Sequence, residues 1–161
     1  MSIQFRSDHL IAIRQHGEQA FPDECCGILI GQLQGDGKIV HELWQVTNTW
    51  DQGENPLADG ESSNRRFLID PLDFKKAHDY AHQQKLGILG TYHSHPNHPA
   101  IPSEFDRNHA FPWGFSCVIV SVHQGEAGDI KSWILDQQDQ PVVESIVVVE
   151  PAPAAETLAL V

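Results

Sequence analysis

The segment from Cys25 to Val46 constrains the fold more than any other part of the chain. Cys25-Cys26-Gly27-Ile28-Leu29-Ile30-Gly31-Gln32-Leu33 reads as a strand buried on both faces, and Gly35-Asp36-Gly37 offers a tight reversal. Ile39 to Val46 follows at once and reads as the hairpin partner. A chain with such a tightly joined pair near its start must build a sheet, and the remaining elements have to cover it.

Ser7 is placed to cap a helix through about Gln19, with Leu10, Ile11 and Ile13 on its apolar side and Pro22 beyond its end. Phe67 to Ile69 is a candidate short strand. Pro71 suits the first turn of a second helix through about Gln84, with Leu72, Phe74, Ala77 and Ala81 facing inward. Leu86 to His95 is a strand stopped by Pro96, and Ser103 opens a short helix through about Ala110. Phe115–Val122 and Asp129–Leu135 form a hairpin around 123–128, and Val143–Val149 is a last strand. Two main helices and roughly six strands joined mainly by hairpins predict an α/β fold, with a mixed, largely antiparallel sheet flanked by helices. One domain is expected over residues 1–150, followed by a Pro/Ala-rich tail over 151–161 with weak structural tendency. Residues 48–66 lack apolar periodicity; a loop of that length is either a functional element or a surface insertion.

Composition removes several function classes. The 161 residues carry 22 acidic against 10 basic side chains, a net charge of −12, so a nucleic-acid backbone is repelled. No apolar run approaches the roughly 18 residues of a membrane span, and the first residues have no secretory pattern. Three cysteines, two of them adjacent, make a poor disulfide framework, and the cytoplasm is the default compartment.

Chemistry concentrates at the end of the fourth expected strand. His93 and His95 stand at i and i+2, so both imidazoles project to one face, and Asp106 returns through a Pro-rich turn. Two imidazoles and a carboxylate suit Zn²⁺, and three protein ligands leave a position open to water. The same residues also admit a plainer account: polar side chains at a strand end, with Ser103 and Asp106 as the two partners of a helix capping box. Nearby His98 lies between prolines and is expected to be exposed, as is His109, although His109 stands at i+3 from Asp106 and could orient it. Cys25, Cys26 and Cys117 sit in apolar runs, where cysteine behaves as a small hydrophobe. A cytidine-deaminase zinc site would require a Pro-Cys-x-x-Cys element, which the chain lacks.

His93-x-His95, ten intervening residues and Asp106, with Pro96 and Ser103 in place, resembles the motif of the JAMM (MPN+) zinc metallopeptidases. Upstream, Phe21-Pro22-Asp23-Glu24-Cys25-Cys26-Gly27 is similar to the segment where that family places a glutamate before a buried strand. Arg66-Phe67-x-Ile69-Asp70-Pro71 extends the likeness, which covers most of residues 5–149 and is nearest to the small single-domain bacterial Mec-like branch. The resemblance implies a cytidine-deaminase-like α/β fold, Zn²⁺ on His93, His95 and Asp106, Glu24 as general base and Ser103 as oxyanion donor. It implies hydrolysis of a peptide or isopeptide bond at the C-terminus of a ubiquitin-like or sulfur-carrier protein, whose tail would add as a strand at a sheet edge. Two alternatives stand beside it: a peptidase acting on small peptides or amino-acid conjugates, and a non-catalytic MPN scaffold. Oligomeric state is left open.

Overall fold

In chain order the elements are β1 (Ser2–Arg6), α1 (Ser7–Ala20), β2 (Cys26–Gln34), β3 (Gly37–Val46), α2 (Pro71–Gln83), β4 (Gly87–Pro96), α3 (Glu104–His109), β5 (Ser116–His123), β6 (Glu126–Leu135) and β7 (Pro141–Val149). This computed structural model describes residues 1–109 and 112–152, so most of the expected tail lies outside the described residues. The β2–β3 hairpin forms as expected, with Gln34 opposite Gly37. The strands close into a barrel in the order β1-β3-β2-β4-β5-β6-β7, with β1 and β7 completing the ring. Pairing is mixed: β2–β3, β2–β4, β5–β6 and β6–β7 run antiparallel, whereas β1–β3, β1–β7 and β4–β5 run parallel.

Closure depends on β1, a strand the sequence reading absorbed into the approach to the first helix. Ile3 and Phe5 alternate inward along Ser2–Arg6, giving a period-2 pattern too short to stand out. Ser7 accordingly is not the helix cap. Arg6 occupies that position, its backbone N–H donating to His9 Nδ1 at 3.3 Å, while the Ser7 hydroxyl donates to Glu150.

The two longer helices pack on opposite faces of the sheet. Leu10, Ile13 and Gly17 share one side of α1 and meet the face of β5 that carries Val118, Val120 and Val122. Ile11 lies about 100° round the helix from Leu10 and is 53% exposed, contrary to expectation. Gly17 permits this approach: a Cβ there would stand 2.9 Å from a Val122 methyl. On the other face, Ala77 and Ala81 of α2 cover Ile28 and Ile30, with Phe74 packed beside them. Leu72, expected inside, is exposed at the helix start, where Asp70 accepts from its backbone N–H.

The barrel also buries a polar cluster. Lys38 Nζ donates to Ser116 Oγ at 2.7 Å and pairs with Glu144 at 3.3 Å, and the Ser116 and Ser132 hydroxyls both donate to Glu144. All four side chains are buried and mutually satisfied, joining β3, β5, β6 and β7. Removing one partner strands the other charge, which costs about 3–5 kcal/mol. Lys38→Met should therefore lower the unfolding free energy by about that amount in urea titration, and adding Glu144→Leu should recover much of the loss.

Candidate metal centre

Strand β4 carries the site at its C-terminal end, where the sheet has β2 on one side and β5 on the other. His93 and His95 project to the same face, as their spacing predicts, while Ser94 turns to the opposite one. Ser94 locks the neighbouring chain: its hydroxyl accepts from Cys25 N–H at 2.8 Å, and its own N–H donates to Cys25 O at 3.1 Å. The residue before Cys25 is thereby delivered to the histidines. Glu24 arrives from a part of the sequence 69 residues away from His93, because β2 and β4 run antiparallel with Cys26 opposite His93.

Glu24 is held by its backbone, so its carboxylate is available for chemistry. Its N–H donates to Ser63 O at 2.8 Å and its carbonyl accepts from Asn48 Nδ2 at 3.0 Å. Among the described residues, no hydrogen bond reaches the carboxylate itself. Burial raises its pKa well above the ordinary range, the Asp106 charge raises it further, and Arg66 and Arg65 oppose both.

Asp106 forms the capping box that the sequence admits and also lies against both histidines. Its Oδ2 accepts from Ser103 N–H at 2.8 Å while Ser103 Oγ accepts from Asp106 N–H at 3.1 Å, the reciprocal pattern of a capping box. The same carboxylate lies 3.3 Å from His93 Nε2 and 3.1 Å from His95 Nε2. Burial pushes the Asp106 carboxyl upward, but the two histidines outweigh it and hold the group far below the usual carboxylate range. Ser103, accepting with its oxygen, keeps its hydroxyl hydrogen free to point into the cavity it lines.

The donor atoms fit a metal ion. His95 Nδ1 lies 2.8 Å from Pro99 O, which can only accept, so Nδ1 carries the ring proton and Nε2 presents a lone pair. His93 is fully buried, and desolvation lowers its pKa, with Asp106 opposing; Phe67 stacks on its ring at 4.5 Å. Its Nε2 is 3.0 Å from that of His95. The two imidazole nitrogens and the Asp106 carboxylate thus stand together, with Oδ1 3.3 Å from His93 Nε2 and Oδ2 3.1 Å from His95 Nε2. Ligands about 2.0–2.2 Å from a tetrahedral zinc are separated by about 3.3–3.6 Å, so a small contraction separates this set from such a site.

A second trio, Glu24, His93 and His95, has its ligand atoms within 4.8 Å of one another and could also hold a metal ion. The histidines are common to both sets, and the third ligand is at issue. Asp106 contacts both rings directly, whereas Glu24 forms no ion pair with either, a separation that suits a carboxylate acting through a water molecule.

Other expectations divide. His98 is exposed on the cavity rim, as expected. His109 packs on Phe105 at 4.5 Å, on the exposed side of α3, and makes no bond to Asp106. The three cysteines are buried, and desolvation raises each thiol, Cys25 to about 11, so none is a ready nucleophile. Residues 48–66 form an organised cover: Trp50 is buried, donates to Glu61 O at 2.9 Å and meets Phe105 edge to face. Asn48 is its hub, bonding Glu24 O and Arg66 O through Nδ2 and accepting from Trp50 and Leu68 N–H groups. Neither Asn48 nor Phe67 was assigned to the site from sequence. Phe67 stood within a recognised segment, but nothing in the pattern around Asn48 marks it.

A closed α/β barrel with two histidines at the end of β4, a helix-borne aspartate and a buried glutamate before β2 is the arrangement of a JAB/MPN-type domain. The model of prokaryotic homologues of the JAB domain matches residues 6–136, and the chain belongs to this JAMM/MPN family. It is 36% identical to the desampylase of Pyrococcus furiosus over 84 residues, 52% of this chain and 56% of that protein, so the likeness spans about half of the curated relative. The solution structure of a Salinibacter ruber protein is similar, with 36% identity, TM-score 0.66 and coverage of 96% of this chain and 94% of that one. The solution structure of Desulfitobacterium hafniense protein DSY2949 gives 28% identity and TM-score 0.74, covering 94% and 95%. A JAB1/MPN domain protein from Archaeoglobus fulgidus, AF2198, shares the fold at 22% identity and TM-score 0.50, covering 91% and 99%.

Zinc titration separates the two ligand sets. Asp106→Ala and His93→Ala should each lose more than about 100-fold in zinc affinity, beyond the loss typical of outer partners, while Glu24→Gln should bind zinc nearly as wild type. Equilibrium dialysis with metal analysis measures this; retention by Asp106→Ala with loss in Glu24→Gln would assign the ligand to Glu24 instead.

Proposed function

We propose that the chain is a zinc-dependent hydrolase that cleaves a peptide or isopeptide bond, with the C-terminus of a ubiquitin-like or sulfur-carrier protein as the acyl side. The observation that carries the reading is the convergence of His93, His95 and Asp106, with the unbonded Glu24 carboxylate lining the same 260 Å³ cavity as His95 and Ser103. His93, His95 and Asp106 would hold the ion, which when bound supplies an activated water and polarises the scissile carbonyl. Family membership and the partial likeness to a desampylase support a hydrolytic reaction.

The chain's own groups carry the remaining steps. Glu24 accepts a proton from the attacking water and returns it to the departing amine as the C–N bond breaks, leaving the water oxygen on the acyl carbon. Burial, which raises its pKa, favours its holding the proton between the two transfers. The free hydroxyl hydrogen of Ser103 is available to the oxyanion. Phe67, stacked on His93, and Phe105, under the Arg66 guanidinium, shield the cluster from bulk water.

The acyl side has an apolar place to lie. Leu57, Phe67, Ile69 and Phe105 line a cavity of about 190 Å³ beside the cluster. Each barrel strand already has neighbours on both sides, so a tail added as a strand would use the extended segment at 66–69, whose other edge is held by Asn48 and Thr49. The scaffold alternative is disfavoured because both histidines, Asp106, Glu24 and Ser103 share one neighbourhood. Among the described residues, no helix is long and apolar enough to cross a membrane.

Glu24→Gln should retain zinc yet lower the rate of cleavage by about 10²–10⁴-fold, the range for a general acid–base group. A carrier with a Gly-Gly end joined to an amino acid, assayed beside a panel of free dipeptides, provides the measurement. Unchanged turnover in the variant would contradict the base assignment, and equal or faster turnover of the dipeptides would remove the carrier as substrate.

A further inference from the structure

The barrel has a second opening, at the end away from the metal centre. Strand β4 pairs with β2 from its first residue, through Gly31–Gly87 and Ile30–Ile88, whereas β5 joins β4 only at Gly90, opposite Ser116. Residues 87–89 therefore have no strand on their β5 side among the described residues, and the turn at 112–115 leaves a gap there. The gap is a cavity of about 410 Å³, against 260 Å³ at the metal centre and 190 Å³ beside it. Ile88, in its lining, precedes Ser94 by six residues, which is about 20 Å of extended strand.

Its lining is apolar apart from two cations. Leu33 and Trp113, 72% and 76% exposed, are large apolar side chains gathered at one opening, and Leu89 and Phe115 lie with them. No carboxylate lines the cavity, in a chain with 22 acidic residues, but Lys38 and Lys85 both do. Lys38 is buried, and Ser116 and Glu144 take two of the three N–H donors of its ammonium group. The Glu144 contact, at 3.3 Å, is long for a charge-assisted bond, and that carboxylate is already met by the Ser116 and Ser132 hydroxyls at 2.6 and 2.7 Å. Lys38 thus keeps a donor to spare. Lys85 makes no ion pair among the described residues. Its backbone is fixed at the end of α2, where its N–H donates to His82 O at 3.0 Å and the Leu86 N–H to Ala81 O at 2.8 Å.

We propose that this cavity is a second binding site, separate from the metal centre, for a small molecule with an apolar body and one carboxylate. The body lies among Leu33, Leu89, Trp113 and Phe115, while the carboxylate takes the spare Lys38 hydrogen and faces Lys85. The volume falls within the roughly 300–1,000 Å³ of small-molecule sites, and apolar walls with a few polar groups are their usual composition. A wholly apolar ligand would leave the Lys38 donor dry and unmatched. The net charge of −12 repels anions elsewhere on the protein, so the two lysines select where a carboxylate can settle. None of the metal-centre residues takes part, and the site stands whether or not the chain is a hydrolase.

Octanoate and octanol, which share an alkyl chain, test it on the zinc-loaded protein by nuclear magnetic resonance. Octanoate should give saturable shifts at the Gly31, Gly87 and Gly114 amides, with a Kd of about 1 mM or tighter, within reach of a ligand that size. It should bind about tenfold or more tightly than octanol, as a charge-assisted hydrogen bond implies. Lys85→Ala should lower that ratio several-fold, and Trp113→Ala should weaken both ligands alike; both side chains are exposed, so neither change disturbs the core. Lys38→Met combined with Glu144→Leu, which removes the buried charges together, should bring the ratio close to one. A wild-type ratio near one, or a ratio unchanged by Lys85→Ala or by the folded double variant, would overturn the site. So would the absence of saturation, or shifts confined to the His95 and Ser103 amides, which would put the carboxylate on the metal.

Discussion

The pair of hydrogen bonds between Cys25 and Ser94 sets the register on which the site depends. The Ser94 hydroxyl takes the Cys25 N–H while the Ser94 N–H reaches the Cys25 carbonyl, so the end of β4 and the approach to β2 are pinned face to face. With that register, His93 and His95 point to one side and Glu24 meets them there. A slip of one residue would turn both imidazoles to the opposite face, into the apolar packing under α1. Gly27 reinforces the alignment, since a Cβ there would overlap the Tyr92 ring at 2.1 Å, and Tyr92 in turn bonds His16 of α1.

Around this register the site divides between rigid and wrapped parts. The histidines ride on a strand paired along its length with β5, and Asp106 is fixed by its reciprocal bonds to Ser103. The other wall is the 48–66 segment, organised by Asn48 and by Trp50 against Phe105. One segment therefore anchors the Glu24 backbone and lines the cavity that Glu24 also borders.

Much of this was legible in the sequence because it follows from local rules. The β2–β3 hairpin was written in its apolar runs and Gly-rich turn, and the shared face of His93 and His95 followed from period-2 geometry. The barrel was not legible. Its closure joins residues 2–6 to 145–149 in parallel, a long-range pairing that no local pattern reports. Ile11 and Leu72 misled for a related reason: an apolar side chain does not state which face its neighbours will occupy, and each lies outside the packed stripe of its helix. Asn48 and the buried Lys38–Glu144 pair escaped notice because polar residues read as surface until the backbone groups and charges they satisfy are in place.

The central claim is that His93, His95 and Asp106 hold a catalytic zinc while Glu24 stays outside its coordination sphere. Anomalous diffraction at the zinc edge, on crystals grown with the metal, addresses it directly. The account predicts one peak about 2.0–2.2 Å from His93 Nε2, His95 Nε2 and an Asp106 oxygen, with Glu24 a water's width beyond. A peak coordinated by Glu24 in place of Asp106, or none at the histidines, would contradict it.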